Sequence, residues 1–425
     1  MSGNFLLCDA HLVDFDSPCV ERGDLRVRDG VIVERGQELQ AGDEEVIDVG
    51  GDVVLPGLVN AHMHLYSALA VGMPVPVVSS FEEALERIWW RLDSAMSLED
   101  VRTSAQVGLM GALRAGCTTV IDHHASPNAI SGSLDAIAEE AGDLGIRTCL
   151  AYELTDRNGP DGFQAGLVEN ADAISRYRGG FCRALLGLHA GFTLSDASLQ
   201  KAAEIEGPVH IHVAESVGDV EAAQRHGDVG PVSRLERFGL LREDSLLAHG
   251  VHLSDEEVAR AKAAGAWLIH NPDSNRNNRV GYAQPGRFGD RALLGTDGLG
   301  SDIFSAAKSA FFAAREHVHD VDLLGLIVSN HRLASRLLGV QMGQLREGYV
   351  ADFVRLRMSG STPLRSDNVF GHLFFGFSAV HVEDVWVAGR ARLRDRKITG
   401  VDARWIQGRA RRSSQLLWEK YLQQE

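Results

Sequence analysis

The chain has 425 residues and a formal net charge of −16 at neutral pH. A charge of that sign disfavours nucleic acid and anionic membranes as partners. The five cysteines are far apart and include no C-x-x-C pair, which argues against a disulfide framework or a zinc ribbon and fits a reducing cytosol. The N-terminus lacks a signal-peptide pattern, and no apolar run approaches the roughly 18 residues of a membrane helix. We therefore expect a cytoplasmic protein without a membrane span.

Residues 1–56 predict short strands, because they are rich in β-branched residues and broken by Gly and Asp. From residue 57, apolar segments alternate with helical stretches, one of which opens with a capping box formed by Ser97 and Asp100. The apolar segments are eight: LVNAHMHL, TTVIDHH, IRTCLAYE, RALLGLHAG, PVHIHVAE, SLLAHGVHL, AWLIHNPDS and RALLGTDGLGS. Eight strand and helix repeats predict an α/β fold, a (β/α)8 TIM-like barrel whose chemistry lies at the C-terminal ends of its strands.

Strand-like sequence returns after the helix that ends near LASRLLGV. We expect residues 343–400 to pair with residues 1–56 in a small β-sandwich, with the barrel over residues 57–342 between them. Residues 401–425 predict a terminal helix with these buried positions: Trp405, Leu416, Leu417 and Tyr421. A basic run before that helix is expected on the solvated face of a surface strand: Arg390, Arg392, Arg394, Arg396 and Lys397.

The pattern His-x-His occurs three times, and with 17 histidines in the chain one occurrence would be weak evidence for a metal. The pairs at residues 62 and 64 and at residues 210 and 212 lie on predicted strands, where a period of two points both rings to one face. The third pair, His317 and His319, lies on a predicted helix, where the rings diverge, and we discard it.

Other residues strengthen the evidence that the first pair, His62 and His64, binds a metal. His212, Glu215, His249 and Asp297 all follow at the ends of predicted strands. Imidazole nitrogens and a carboxylate are ligands that zinc and iron accept readily. Three histidines and one aspartate leave a position for water, which is typical of a catalytic site, whereas structural zinc sites are closed by protein ligands.

Several motifs make the chain similar to a known family, and the similarity runs along essentially its whole length. They are LPGLVNAHMHL, HVAES, LAHGVHL, NPDSN and GTDGLGSD, followed by GQLREGYVADFV. In this order and spacing the chain resembles the amidohydrolase superfamily, in its cytosine-deaminase-like branch. The segments WWRLDSAM, GCTTVIDHHASP, TDRN and NNRVGY make it most similar to the SsnA-type aminohydrolases.

The resemblance implies a metal-dependent aminohydrolase that removes an amino group from a small heterocycle such as a purine or pterin. It implies these metal ligands: His62, His64, His212 and Asp297. Glu215, His249 and Asp297 would carry the proton transfers to and from water, ring and leaving ammonia. Binuclear relatives carry a bridging lysine that the segment CRALLGLHAG lacks, so we expect one divalent ion, zinc or, as the alternative, iron.

For substrate contacts we single out His189 and Trp90, with Trp89 beside it. His123 and His124 are further candidates, although strand alternation allows only one of them to face the barrel mouth. Asn271, Ser274 and Asn275 are expected to shape the mouth through hydrogen bonds. Val71 stands where many relatives have Arg before a Gly, so a relative's substrate does not transfer directly.

Two alternative functions stay open. Motifs of other hydrolases and of the zinc nucleobase deaminases of a different fold are missing. Within the fold, the nearest rival is a hydrolase that displaces chloride from a triazine ring. Outside catalysis, the rival is a metal-binding component of a purine- or selenium-related enzyme complex. A homodimer is compatible with the sequence.

Overall fold

The computed structural model describes residues 3–16, 18–358 and 361–424. The strands within these residues are β1 Phe5–Val13, β2 Val20–Arg28, β3 Val31–Gly36, β4 Glu45–Asp48, β5 Val53–Pro56, β6 Leu58–Met63, β7 Cys117–His124, β8 Arg147–Tyr152, β9 Arg178–Gly179, β10 Cys182–Ala184, β11 Leu186–Ala190, β12 Val209–Val213, β13 Leu246–His249, β14 Trp267–His270, β15 Ala292–Leu294, β16 Phe353–Leu356, β17 Val382–Val387, β18 Arg390–Arg394 and β19 Lys397–Ile398. The α-helices are α1 Phe81–Ala84, α2 Trp90–Ala95, α3 Leu98–Arg114, α4 Ser133–Leu144, α5 Gly159–Arg176, α6 Asp196–Ala202, α7 Val217–Arg225, α8 Pro231–Arg237, α9 Asp255–Ala263, α10 Pro272–Asn277, α11 Ile303–Glu316, α12 Leu323–Leu338, α13 Val369–Gly371 and α14 Ala403–Leu422.

The strands from the two ends of the chain lie in one nine-stranded sheet. Its order is β19-β18-β17-β16-β5-β1-β2-β3, and β4 pairs with β1. The junction is the antiparallel pair β5 and β16, in which Pro56 lies opposite Phe353. The two ends therefore pair, as the sequence predicts.

The middle of the chain forms two five-stranded sheets, in the orders β6-β7-β8-β10-β9 and β11-β12-β13-β14-β15. Neighbouring strands are parallel, except for the antiparallel pair β9 and β10. The fourth predicted segment supplies both β10 and β11, which belong to different sheets. At that point Leu185 N donates to Leu150 O over 2.8 Å, so the chain passes directly from one sheet to the other.

One hydrophobic cluster contains residues of both parallel sheets and of α12. Its members include Val59, Ile121, Ala151, Leu246, Ala248, Trp267, Ile269, Leu293 and Leu337. Gly187 sits where β8 and β11 approach most closely, because a Cβ at that position would lie 2.2 Å from Tyr152 O. The sheets are thus packed around shared contacts.

The capping box at Ser97 and Asp100 is present at the start of α3. The helix α14 is present as well, and Leu417 and Tyr421 are buried on it. Trp405 and Leu416, however, are 55% and 57% exposed, so the prediction of their burial is wrong. Each precedes a buried residue, Ile406 or Leu417, by one position, and one position rotates a side chain about 100° around a helix.

The basic run is only partly a solvated strand face. Arg390 is exposed on β18, whereas Arg392 and Arg394 are half-buried. Arg396 lies in the turn after β18, and its Nη1 donates to backbone carbonyls, the shortest contact being 2.6 Å to Val380 O. Among the helices of the described residues, none is long and apolar enough to cross a membrane.

Candidate metal centre and active site

Four predicted ligands meet at the C-terminal ends of three parallel strands. His62 and His64 lie at the end of β6, His212 lies in β12, and Asp297 follows β15. One ligand atom from each of the four lies within 4.8 Å of those of the other three, and such a group could hold a metal ion. We call His62, His64, His212 and Asp297 the metal cluster. All four are at least nine-tenths buried.

The ring orientations in the metal cluster are fixed by backbone acceptors. His64 Nδ1 lies 2.6 Å from His123 O, and His212 Nδ1 lies 2.8 Å from His189 O. A carbonyl oxygen only accepts, so each Nδ1 must carry a proton, and neutral rings then present a lone pair at Nε2. The two Nε2 atoms of His64 and His212 are only 3.2 Å apart.

Two facing lone pairs at that distance require a positive group between them, either a proton or a cation. Asp297 Oδ1 is turned to the same point, 2.9 Å from His64 Nε2 and 3.2 Å from His62 Nε2. Burial lowers the pKa of His62 to about 4, so this ring is neutral at physiological pH, as a ligand must be. The residues present therefore fit a divalent metal ion.

A second group, formed by Glu215, His249 and Asp297, adjoins the metal cluster and shares Asp297 with it. His249 Nε2 lies 3.4 Å from Glu215 Oε2 and 3.9 Å from Asp297 Oδ2. Burial raises the pKa of Glu215 to about 6, with His249 acting in the opposite direction. A carboxyl group with such a pKa can both donate and accept a proton near neutral pH.

The backbone at these strand ends adopts the left-handed region at non-glycine residues. The φ angles are 47° at Ala214, 74° at His249 and 55° at Asp297. Such conformations are costly and tend to occur at functional sites, where the surrounding structure enforces them. Asp219 enforces the first, because its Oδ2 accepts from Ala214 N over 2.7 Å. Glu215 is the next residue, so Asp219 sets its position.

The segment after β14 orients all three groups of the second cluster. Ser274 Oγ donates to Asp297, and His249 Nδ1 lies 2.9 Å from Asn275 Oδ1. Asn278 Nδ2 donates to Glu215 Oε1 over 3.0 Å.

The expectation that Ser274 and Asn275 form hydrogen bonds at the mouth agrees with these contacts. Asn271, by contrast, caps the start of α10, and its side chain has no hydrogen-bond partner in the described structure. Asn278 was not singled out, although it belongs to the NNRVGY motif and so lay within reach of the sequence.

A cavity open to solvent lies over the metal cluster and includes Glu215, His249 and His189 in its walls; the empty space in it, counting the solvent at its mouth, is about 780 Å³. Trp90 and Trp89 line it too, and the Trp90 ring is 6.1 Å from that of His189 in an edge-on arrangement. Among the described residues, its walls also contain three carboxylates that the sequence did not single out, Asp93, Glu153 and Asp219. Aromatic and carboxylate side chains thus surround the space above the metal cluster.

His123 and His124 are buried in β7 and do not line this cavity. His123 instead packs against His212, with ring centroids 4.5 Å apart. His124 Nε2 lies 2.8 Å from Ser126 Oγ. Their rings therefore lie behind the cavity wall.

The remaining singled-out residues lie elsewhere. Val71 is 83% exposed and is not part of the cavity. The discarded pair, His317 and His319, stacks on Tyr282 just after α11. His210 supports the metal cluster from behind, since its Nε2 lies 2.9 Å from His62 Nδ1.

A parallel α/β fold with a histidine and aspartate cluster at its strand ends is typical of metal-dependent hydrolases. The amidohydrolase family matches residues 53–392 of the chain. The chain therefore belongs to the amidohydrolase family, which confirms the resemblance seen in its motifs. It is a hydrolase that acts on carbon–nitrogen bonds other than peptide bonds.

Among known proteins, the chain is 26% identical over 420 residues to the 5-methylthioadenosine/S-adenosylhomocysteine deaminase of Carboxydothermus hydrogenoformans, with 93% of this chain and 94% of that protein covered. A solved structure of an adenosine deaminase from Xanthomonas campestris with bound zinc superposes with a TM-score of 0.85 at 23% identity, covering 97% and 98% of the two chains. Atrazine chlorohydrolase from Arthrobacter aurescens, complexed with zinc, gives 0.81 at 24% identity, covering 96% and 100%. The two structures share the fold of this chain.

Proposed function

We propose that this chain is a mononuclear, zinc-dependent deaminase that replaces the amino group of an adenine-type purine ring with oxygen. One observation carries the proposal. The metal cluster and the pair of Glu215 and His249 share Asp297, so a metal ligand and the acid/base groups meet at one point of one cavity. A structural metal site has no use for such unligated acid/base groups.

The donor set supports one zinc ion. Three imidazole nitrogens and one carboxylate oxygen suit zinc, which can expand its shell to take water as a fifth ligand. A divalent ion held by these residues supplies a water whose pKa is lowered toward neutrality. No lysine is among the described residues that line the cavity, and this supports one metal rather than a lysine-bridged pair.

Glu215, His249 and Asp297 carry the proton transfers in this proposal. Glu215 donates a proton to the ring nitrogen, which makes the neighbouring amino-bearing carbon electrophilic. His249 and Asp297 accept the proton that water loses as its oxygen bonds to that carbon. The proton taken from water then passes through Glu215 to the amino group, the C–N bond breaks and ammonia leaves. The hydroxyl left on the ring carbon returns its proton to Glu215, so that ring amine and water become ring carbonyl and ammonia.

The substrate class rests on the relatives and on the cavity walls. The relative from Carboxydothermus is named for 5-methylthioadenosine and S-adenosylhomocysteine, both of which contain adenine. Trp89 and Trp90 offer planar faces on which a purine can stack. We propose that His189 contacts the substrate directly. We propose that His123 acts indirectly. Its backbone carbonyl oxygen accepts a hydrogen bond from His64 Nδ1 and so fixes the orientation of that ring.

The finer architecture is part of the proposal. We propose that the two five-stranded sheets form one closed barrel over residues 57–342. Parallel bridges between Leu154 and Leu188 and between Met63 and Asp297 support this, because each joins one sheet to the other.

We propose likewise that the nine-stranded sheet folds over into a sandwich built from residues 1–56 and 343–400. An antiparallel bridge between Val31 and Val350 joins β3, at one end of its strand order, to the segment just before β16. Residues 401–425, with α14, form a separate C-terminal unit of helix in this division.

The test is a substrate panel on purified protein of measured zinc content, with ammonia and chloride both recorded. The panel contains adenosine, 5′-methylthioadenosine, guanine, a pterin and a chlorotriazine. Ammonia release from an adenine compound is expected. Chloride release from the triazine without ammonia from any purine would favour a dechlorinating hydrolase, and no turnover of any compound would favour a non-catalytic metal-binding component.

A further inference from the structure

Two carboxylates on the cavity wall, apart from the metal cluster, are paired with an arginine that does not itself line the cavity. Asp93 lies on α2, Glu153 directly follows β8, and Arg157 lies in a short 3-10 turn before α5. We call these three residues the arginine cluster. Asp93 and Glu153 line the cavity, and their side chains are only 2% and 5% exposed.

The guanidinium of Arg157 is shared between the two carboxylates. Its Nη2 donates to Asp93 and, over 3.3 Å, to Glu153 Oε1, while its Nη1 lies 3.3 Å from Asp93 Oδ1. The same guanidinium lies 5.2 Å from the centre of the Trp90 ring. Arg157 is therefore held in place on several sides.

The arginine cluster holds two carboxyl groups and one cation. Burial raises the pKa of Asp93 to about 7, against the effect of Arg157, and burial also raises the pKa of Glu153. As long as one of the two carboxyl groups is ionised, the positive charge of Arg157 is matched within the cluster. No charge remains to pair with an incoming anion.

The rest of the cavity offers no substitute. No Lys or Arg is among the described residues that line it, while Glu215, Asp219 and Asp297 add further carboxylates. The other walls are largely aromatic, with Phe81, Trp89 and Phe192 among them. A ligand can find flat apolar faces and hydrogen-bond acceptors in this space, but no free cationic side chain.

We propose that the arginine cluster makes this cavity selective for uncharged heterocycles and excludes substrates that carry a carboxylate or phosphate on the part of the molecule remote from the reacting ring. The inference rests on the proposed deaminase function and names its substrate class. Its physical basis is that an anion loses its hydration on entering a buried site and regains that energy only through a counter-ion. The metal cluster cannot supply one, since the reacting ring carbon must lie there.

The experiment compares substrates that share the adenine ring and differ in charge. Zinc-loaded protein is assayed with adenosine and 5′-methylthioadenosine, which are neutral, and with adenosine 5′-carboxylic acid and adenosine 5′-monophosphate, which are anionic. We expect kcat/KM to be about 100-fold or more lower for the anionic pair, given the size of like-charge interactions in a partly buried site.

The variant Asp93→Asn/Glu153→Gln then tests the cause. It keeps the shapes of both side chains and frees the charge of Arg157, so the ratio of anionic to neutral kcat/KM should rise at least about tenfold. Glu86→Gln is the matched control, because it removes a carboxylate from the exposed turn beside α2 and leaves the ratio unchanged. The single variants Asp93→Asn and Glu153→Gln should each raise the ratio by less, and they serve if the double variant does not fold.

Two failures are distinguishable. If no adenine compound is deaminated, the proposed function is wrong and the selectivity falls with it. If the neutral compounds are deaminated and the anionic ones react within tenfold of them, the function stands and the selectivity is wrong. The assignment to the arginine cluster is also wrong if freeing Arg157 leaves the ratio at its original value in every folded variant.

Discussion

The metal cluster and the arginine cluster both contribute side chains to the wall of one cavity, and they differ in how their polar atoms are satisfied. In the metal cluster, Nε2 atoms of His64 and His212 face each other over 3.2 Å, and their other nitrogens are already held by backbone carbonyls. In the arginine cluster, by contrast, the two carboxylates already share the cation of Arg157. The first group needs a positive ligand from outside, whereas the second needs none.

This difference separates two ways in which charged residues serve a site. A group left incomplete by the fold binds a ligand tightly, because the ligand relieves a cost that the folded chain otherwise bears. A group whose charges are already paired gains nothing from such a ligand. Its effect is instead to lower the affinity for ligands of one charge.

The largest effect is expected from removing a ligand of the incomplete group. His64→Ala deletes one of the two facing nitrogens, and we expect bound zinc to be lost and deamination to fall at least about 1,000-fold. Elemental analysis and an ammonia assay measure the two effects. His317→Ala is the control, since that ring stacks on Tyr282 beyond α11 and should leave zinc and activity unchanged. Full zinc content in His64→Ala would remove this residue from the metal cluster.

Glu215→Gln should separate metal binding from chemistry. Glu215 lies beside the metal cluster but outside its set of four ligands, so zinc content should stay near one per chain. Turnover should fall about 100- to 10,000-fold, since the amide can neither give nor take the proton. A variant with unchanged kcat would take Glu215 out of the proton transfers proposed for it.

Much of the metal cluster is predictable from the sequence because strand geometry fixes it. His62 and His64 share a face by the period of two, and parallel strands place His212, His249 and Asp297 at the same edge. The family resemblance then supplied the division of roles. None of these inferences needed to know how distant side chains pack.

The arginine cluster could not be predicted from the sequence, because it depends on how distant side chains pack. Asp93 and Arg157 lie in motifs that the sequence comparison singled out, WWRLDSAM and TDRN, yet they are 64 residues apart and meet only through tertiary packing. The exposure of Trp405 and Leu416 shows the same limit, because the apolar pattern of α14 does not say which of two adjacent residues faces the protein. Similarly, strand alternation could not reveal that neither His123 nor His124 reaches the cavity wall.

Removing Arg157, the cation of the arginine cluster, should destabilise the fold. Arg157→Met leaves Asp93 and Glu153 buried without a counter-ion, which costs about 3–5 kcal/mol in the free energy of unfolding. Chemical denaturation followed by circular dichroism gives the value. Arg87→Met is the matched control, because Arg87 pairs with Glu83 on an exposed helical surface, where solvent screens the ion pair and a much smaller loss is expected. Equal losses in the two variants would show that the arginine cluster carries no special weight.

The smallest expected effect is a pH dependence of zinc affinity, which arises from a proton held in the metal cluster when zinc is absent. Burial lowers the pKa of His64, but hydrogen bonding and attraction to Asp297 outweigh it and raise the pKa to about 9. In the metal-free protein below that pH, a proton on His64 Nε2 therefore fills the place between His212 and Asp297. Zinc must displace this proton, so its affinity should fall about tenfold for each pH unit from 9 down to 7. Because the folded pKa lies above the ordinary value of histidine, the same proton stabilises the metal-free fold at low pH, and this contribution is lost as pH rises toward 9.

Competition with a chromophoric chelator at pH 7, 8 and 9 measures the zinc affinity, and calorimetry in buffers of different ionisation enthalpy counts the proton released. A zinc affinity that stays constant over this range would mean that no proton bridges the empty cluster and that its facing lone pairs are relieved in another way.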